Sequence, residues 1–432
     1  MATGGVATVA PSVRFLLPRE LRVGLQNRSL PVDTVTVGPV GRDDPLGSVQ
    51  ARSLDASAHR TPVSFEDLEA SKDMLVPLPN RSEAMLSALR LVAPGKPLRE
   101  GLDRILQASM GALIIIGDGP DVLSICSGGF LLDAEFTPQR LSELAKMDGA
   151  MILSADCTRI ARANVHLVPD PEIPTSETGT RHRTAERVAR QIDAPVITIS
   201  EELSLVAVHR RGQKRTLEPV ARVLTRADQA LQILERYKVR LDAVSNALSA
   251  LEIEDLVTVR DVAVALQRAE MVRRIAEEIE EYVIELGADG RLILLQLEEL
   301  MGGVEDDRRL LARDYVVEPG NGPAESALRV VSELDTESLL DVREVADVLA
   351  LPRDVGLDTA VQARGYRLLH KVPRLPEAVA DHVVDRFGSL QKVLRASVPD
   401  LVEVDGVGES RARAIKDGLA RLAETSILER YV

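Results

Sequence analysis

The segment from Thr175 to Arg187 reads TSETGTRHRTAER and crowds hydroxyl, imidazole and guanidinium groups around one glycine. Gly179 followed by Thr180 looks like the mouth of a helix, with Arg181, His182 and Arg183 side by side just inside it. Threonine hydroxyls such as those of Thr178 and Thr180, and the unpaired N–H groups of a helix start, donate to phosphate oxygens. Two guanidiniums can neutralise a triphosphate. Arg181 and Arg183 point to different sides of the chain, so both reach one ligand only where the segment lies along it. Without a ligand the same residues make an exposed, capped helix start with its charges in water.

A second chemical segment is MDGAMILS, Met147–Ser154. Asp148 stands between a helix end and a strand, and Gly149 and Ala150 leave the backbone beside it open. A carboxylate in that place suits a divalent cation or a ribose hydroxyl. It also suits a plain Asp-Gly turn. The chain has no GxxxxGKS or GxxxxGKT run and no GxGxxG after a strand, which excludes a P-loop and a dinucleotide fingerprint.

The C-terminal stretch LVEVDGVGESRARAIKDGLARL is the third candidate. Gly406, Val407 and Gly408 read as a turn between two helices, the second starting at Glu409. Glycine lets backbone approach a phosphate, and the N–H groups of the second helix point at the anion. Ser410, Arg411, Arg413 and Lys416 are its other DNA-contact candidates, the last three adding positive charge. Nothing in the stretch reaches a base edge, so DNA would be bound without regard to sequence. The spacing of Val404, Gly406, Val407, Gly408, Ala412 and Ile415 matches a helix-hairpin-helix. The preceding LPEAVADHVVDRFGSLQKVLRAS reads as a partner copy lacking the GxG. The alternative is a plain helical hairpin with glycine ending the first helix.

The elements that must hold these residues follow from periodicity. SEAMLSALRLV and PLREGLDRILQAS carry apolar residues at helical spacing, with Pro97 placed to open the second. ALIIIG (112–117) ends at a Gly-Asp-Gly-Pro turn before VLSIC, and the pair reads as a buried hairpin. TPQRLSELAKM is a helix capped by Thr137 with Pro138 at its first position. AMILS (150–154), VHLV (165–168), APVITIS (194–200) and LSLVAVH (203–209) read as strands. Helices alternating with apolar strands imply an α/β domain with a mixed sheet over residues 76–212. From Leu217 no strand pattern survives. Val220, Ala227, Leu234, Leu241 and Leu248 recur every seven residues, the mark of a long packed helix, and a second helical run stops at Gly287. The charges of AEEIEEY within it read as a solvated face. This gives an all-α spine over 213–370 and a small all-α helix-hairpin-helix domain over 371–432, whose 10 basic and 10 acidic side chains cancel. Residues 1–75 show little periodicity and read as a disordered extension.

Composition sets the outer bounds. At 432 residues the chain exceeds one ordinary domain, and with aromatics at 2% its cores must be aliphatic. A net charge of -14 excludes a protein coated along its length in nucleic acid but permits a local basic site. Cys126 and Cys157 have no CxxC spacing, which suggests reduced core thiols in a cytoplasmic protein. His59, His166, His209, His370 and His382 show no ligand spacing. No run of 18 apolar residues predicts a membrane span.

Asp148-Gly149-Ala150 and TGTRHR, in an α/β domain ahead of a helical spine and a helix-hairpin-helix tail, together resemble one family. It is the DNA integrity scanning proteins, which are bacterial diadenylate cyclases, and the resemblance covers residues 76–432. It implies condensation of two ATP into cyclic di-AMP with release of two pyrophosphates, each 3′-hydroxyl attacking the α-phosphate held by a facing domain. It implies that Asp148, Gly149, Arg181, His182 and Arg183 are catalytic. Ala150, Thr178, Thr180 and Ser200 are implied as further ATP contacts, and Leu167 as a neighbour of the adenine. Asp148, with Glu201, is implied to hold Mg²⁺ or Mn²⁺. Phosphoryl transfer needs charge neutralisation and positioning more than a dedicated base, so His182 reads as a phosphate or structural contact. The resemblance also implies a homo-octamer at the nucleoid and branched DNA, such as Holliday junctions, as a partner. Two other readings compete: a DNA-junction-binding protein whose nucleotide site only senses ligand, and a helical oligomerisation scaffold.

Overall fold

Five apolar residues in a row, Ala112–Ile116, form strand β1, buried along its whole length at the middle of a sheet. The computed structural model describes residues 82–316, 323–350 and 356–429, all within the unit Val63–Val432. The expected extension over 1–75 lies outside the described residues. β1 pairs in parallel with β4 (Ala150–Leu153) and antiparallel with β6 (Val196–Ser200). β2 (Cys126–Ser127) and β3 (Phe130–Glu135) pair with β5 (Arg159–Leu167). β7 (Leu205–Arg210) and β8 (Gln213–Thr216) complete the order β2-β5-β4-β1-β6-β7-β8, with β3 also against β5. One parallel pairing among antiparallel ones makes the sheet mixed, as expected.

Alternation along β1 divides two cores. Ile114 and Ile116 pack with Leu86 of α1 (Glu83–Val92), Leu102 of α2 (Pro97–Gln107) and Leu141 of α4 (Pro138–Leu144). Leu113 and Ile115 face the other way, with Val122 of α3 (Pro120–Ser124) and Val188 of α5 (Thr180–Gln191). A fully buried isoleucine such as Ile114 contributes about 1.5–3 kcal/mol over leaving it exposed.

Three expectations are corrected. VLSIC is not the second strand of a hairpin with ALIIIG: Pro120 opens the short helix α3, Val122 and Ile125 go under the sheet, and only Cys126–Ser127 is strand. The sheet does not end at Gly212, because β8 pairs with β7 through Thr216. AEEIEEY is not simply a solvated face: Glu281 is buried and meets Arg215 of β8 at 2.9 Å, and Glu278 accepts the Tyr282 hydroxyl.

The spine starts with α6 (Val220–Glu254), about 50 Å long at 1.5 Å per residue. Its buried stripe runs through Ala227, Leu234, Leu241 and Leu248. Asp255 turns the chain in the left-handed region, and a capping box between Thr258 and Asp261 opens α7 (Val259–Leu286), which stops at Gly287. Five helices follow: α8 (Arg291–Leu300), α9 (Val304–Tyr315), α10 (Pro323–Glu333), α11 (Thr336–Leu340) and α12 (Val342–Asp347). The tail, counted from Gly365, ahead of the expected break, comprises α13 (Tyr366–His370), α14 (Glu377–Phe387), α15 (Leu390–Arg395), α16 (Val398–Val402) and α17 (Glu409–Glu429).

No packing boundary falls at the expected 370/371 break. Val383, Leu401 and Ile415 of the tail share one hydrophobic core with Leu241 and Leu248 of the spine. A buried polar cluster locks the two together. Arg367 donates to Glu252 at 2.6 Å and to the Ser245 hydroxyl at 2.8 Å, and Tyr315 donates to the same Glu252 oxygen at 2.8 Å. The Asp314 carboxylate accepts the backbone N–H groups of Gly365, Tyr366 and Arg367, which start α13. Arg367→Met strands Glu252 in the core and should cost about 3–5 kcal/mol of stability in urea unfolding. Replacing Glu252 by Met as well should restore most of it. A single-variant loss below about 1 kcal/mol would show that the pair does not hold the tail.

Candidate functional site

The segment Thr175–Arg187 is fastened back onto its own helix. Glu186, only 7% exposed on the second turn of α5, accepts the Thr175 hydroxyl and the N–H groups of Ser176 (3.0 Å) and Glu177 (3.3 Å). Arg190 closes the cluster on Glu186 at 2.6 Å and also donates to the Pro174 carbonyl, while Arg187 donates to that of Ile173. Burial opposes the Glu186 charge, but these hydrogen bonds and Arg190 together hold its carboxyl below the usual range. The loop is therefore rigid where it meets the helix. Gly179 (φ +82°) is the N-cap and brings no capping side chain, so the first-turn N–H groups remain open to a ligand.

That first turn walls a cavity of about 670 Å³. Thr178, Gly179, Thr180, Arg181 and His182 form one side; Gly149 and Ala150, from the loop into β4, form another. Leu113, Val165, His166 and Leu167 supply a mostly apolar floor, and Ser200, Glu201, Glu202 and Leu203 a rim. Gly149 sits at φ +115°, and a Cβ there would stand 2.8 Å from the Asn164 carbonyl carbon, so the approach of loop to β5 demands glycine. The Arg181 guanidinium lies over Gly111, where any Cβ would collide with it.

Of the expected site residues, Gly149, Ala150, Leu167, Thr178, Thr180, Arg181, His182, Ser200 and Glu201 meet at this cavity. Asp148 and Arg183 do not line it; both are exposed beside it. Sequence reasoning passed over Leu113, His166, Glu177, Glu202 and Lys214, which do. The Nδ1 of His182 is shielded from solvent without a hydrogen-bond partner, an orphan polar atom at the wall of a polar cavity. Burial first, then the charge of Lys214, push the His182 pKa down, which leaves the ring neutral near pH 7. Behind it, buried His209 contacts the Thr198 hydroxyl at 3.2 Å and is pushed down to about 4, chiefly by burial.

Among the described residues no group of three or more His, Cys, Asp or Glu side chains could hold a metal ion. Glu201 lines the rim and Asp148 stands exposed beside the cavity; carboxylates are the donors that fit a cation shared with nucleotide phosphates, since Mg²⁺ commonly takes one or two of them plus phosphate and water.

In the tail, Val404, Val407, Ala412 and Ile415 are buried around the turn at Gly406–Gly408. A Cβ on Gly408 would meet nothing within 4 Å, so no packing inside the chain calls for glycine there. Ser410, Arg411 and Arg413 are exposed around the turn, with Arg411 donating to the Gly406 carbonyl at 2.6 Å and Arg413 paired with Glu409. Lys416 departs from expectation: its ammonium caps α15 at the Leu394 carbonyl, 2.7 Å away. The stretch expected as a partner copy forms two helices, α14 and α15, joined through Gly388.

A mixed sheet carrying a cavity with an uncapped helix start, joined to a helical linker, is here, by the matches that follow, a nucleotidyltransferase of the diadenylate cyclase type. Residues 99–214 match the family model described as DisA bacterial checkpoint controller nucleotide-binding, and residues 217–357 match the DisA bacterial checkpoint controller linker region. The chain is 56% identical over 352 residues to the DNA integrity scanning protein DisA of Streptomyces coelicolor, covering 81% of this chain and 94% of that one. It is 57% identical over 358 residues to the DisA of Frankia alni, covering 82% and 99%. The chain belongs to the DNA integrity scanning protein DisA family.

Gly111→Ala should push the Arg181 guanidinium off its seat without touching the cavity directly. One charge-assisted phosphate contact contributes about 1.5–3 kcal/mol, so ATP affinity by calorimetry should fall about tenfold or more with the fold intact. Unchanged affinity would show that the seat of Arg181 is immaterial.

Proposed function

We propose that the chain condenses two ATP into cyclic di-AMP and two pyrophosphates, and that binding of branched DNA by its tail modulates this activity. The observation that supports the reading best is the gathering, at one cavity, of the open first turn of α5, Arg181 and the Gly149–Ala150 loop. Thr178, Thr180, Ser200 and the first-turn N–H groups would take phosphate oxygens; Leu167 and its apolar neighbours would take the base. His182, neutral and with an orphan Nδ1, would contact the nucleotide rather than carry a proton.

Asp148 and Arg183 stand exposed outside the cavity of their own chain. That is where residues would lie that act on a nucleotide held by a second copy, so the reaction is read as one between two facing domains in a homo-octamer. Asp148, with Glu201, would hold Mg²⁺ or Mn²⁺ alongside the phosphates; the cation would supply charge neutralisation at the transferring phosphoryl group. In the tail, the open space at Gly408 and the exposed Arg411 and Arg413 support phosphate contact without base readout. No described helix is long and apolar enough to cross a membrane, and a DNA partner would place the protein at the nucleoid.

Purified protein with ATP and Mn²⁺ should yield cyclic di-AMP, and Asp148→Asn should abolish the product while leaving the protein folded. ATP binding without product in the wild type would favour the competing reading, a junction-binding protein whose nucleotide site only senses its ligand. Gly408→Glu should weaken binding to a four-way junction in a gel-shift assay at every sequence tested, with basal synthesis unchanged. Undiminished junction binding by that variant would remove the hairpin from the account.

A further inference from the structure

Two guanidiniums were expected to neutralise the triphosphate, yet only Arg181 lines the cavity, while Arg183 is exposed outside it. The other permanent cation among the lining residues is Lys214. Its ammonium stands 2.7 Å from the Glu177 carboxylate, itself a lining group. Arg181 and the open first-turn N–H groups share the cavity wall with Glu177, Glu201 and Glu202, so a strongly anionic ligand meets nearby carboxylates. Release of Lys214 from Glu177 would give such a ligand a second cation.

Lys214 is set in place from both sides. It lies on β8 opposite His209 of β7, and the next residue, Arg215, projects to the other face and pairs with buried Glu281 of the spine. Glu177 is fixed as well, because its N–H donates to Glu186 and to the Thr175 hydroxyl. The mobile member of the pair is the lysine, a compact cation on a flexible four-carbon stem.

We propose that Lys214 is a phosphate-binding residue of the nucleotide site, paired with Glu177 in this structure and transferred to the polyphosphate when ATP binds. The proposal rests on the cyclase reading above. Glu177 then acts as a competitor for the lysine, which sets the resting affinity of the site.

The two partners therefore have opposite effects, unlike the members of a purely structural ion pair. Calorimetry on the full chain with Mg²⁺ should show Lys214→Met weakening ATP about tenfold, the scale of one charge-assisted contact. AMP, with its single phosphate, should lose much less, and Lys214→Arg should retain most of the ATP affinity. Glu177→Gln should tighten ATP, and that gain should vanish when combined with Lys214→Met. Equal weakening of ATP by both single variants would overturn the proposal, as would equal loss for ATP and AMP, or a Glu177→Gln gain that survives without the lysine. If Lys214→Met does not fold, Lys214→Gln replaces it under the same criteria. A wild type that binds no ATP would instead overturn the cyclase reading itself.

Discussion

One buried carboxylate carries the nucleotide site. Glu186 lies inside the protein, where an unpaired charge would be strongly unfavourable, and it is compensated by the Thr175–Glu177 backbone and hydroxyls together with Arg190. The same bonds that satisfy Glu186 fix the loop leading into α5. A fixed loop delivers Gly179 and the open first turn to the cavity edge without ordering them at the moment of binding. Preorganised donors of this kind are what phosphoryl transfer asks of a protein.

Among the described residues, the sheet, the spine and the tail pack one against the next around that arrangement. The sheet supplies Gly149, Leu167 and Ser200 from the ends of neighbouring strands, and β8 brings Lys214 to the wall. The adjacent Arg215 joins the sheet to the spine through Glu281, and the spine is joined to the tail through Glu252 and Arg367. A half-buried ion pair stands at the first junction and a buried one at the second.

Much of this was legible in the sequence because the signals were local. A dense polar cluster after a glycine marked the helix start, apolar runs marked β1, β4 and β6, and a seven-residue repeat marked α6. VLSIC was misread because a short apolar run fits a strand or a buried helix turn equally well, and only the packing beneath the sheet decides. Glu186 looked like any helix charge, and its role depends on a loop that folds back ten residues to meet it. Lys214 sits in QKRT, which has no apolar alternation to announce a strand. The merging of spine and tail was hidden because helical periodicity shows which face is buried and not what covers it. Asp148 and Arg183 were both expected at the nucleotide site, and nothing local in the sequence shows that they lie outside the cavity of their own chain.

The central claim is that a loop preset by Glu186 presents the open first turn of α5 to the nucleotide. Amide hydrogen exchange across residues 175–183, with and without ATP and Mg²⁺, tests it most directly. The account predicts that the amides of Ser176 and Glu177 are protected in both conditions. Those from Gly179 to His182 should exchange fast alone and slowly with ATP. Fast exchange at Ser176 and Glu177 without ligand, or ATP-dependent protection confined to another part of the chain, would contradict it.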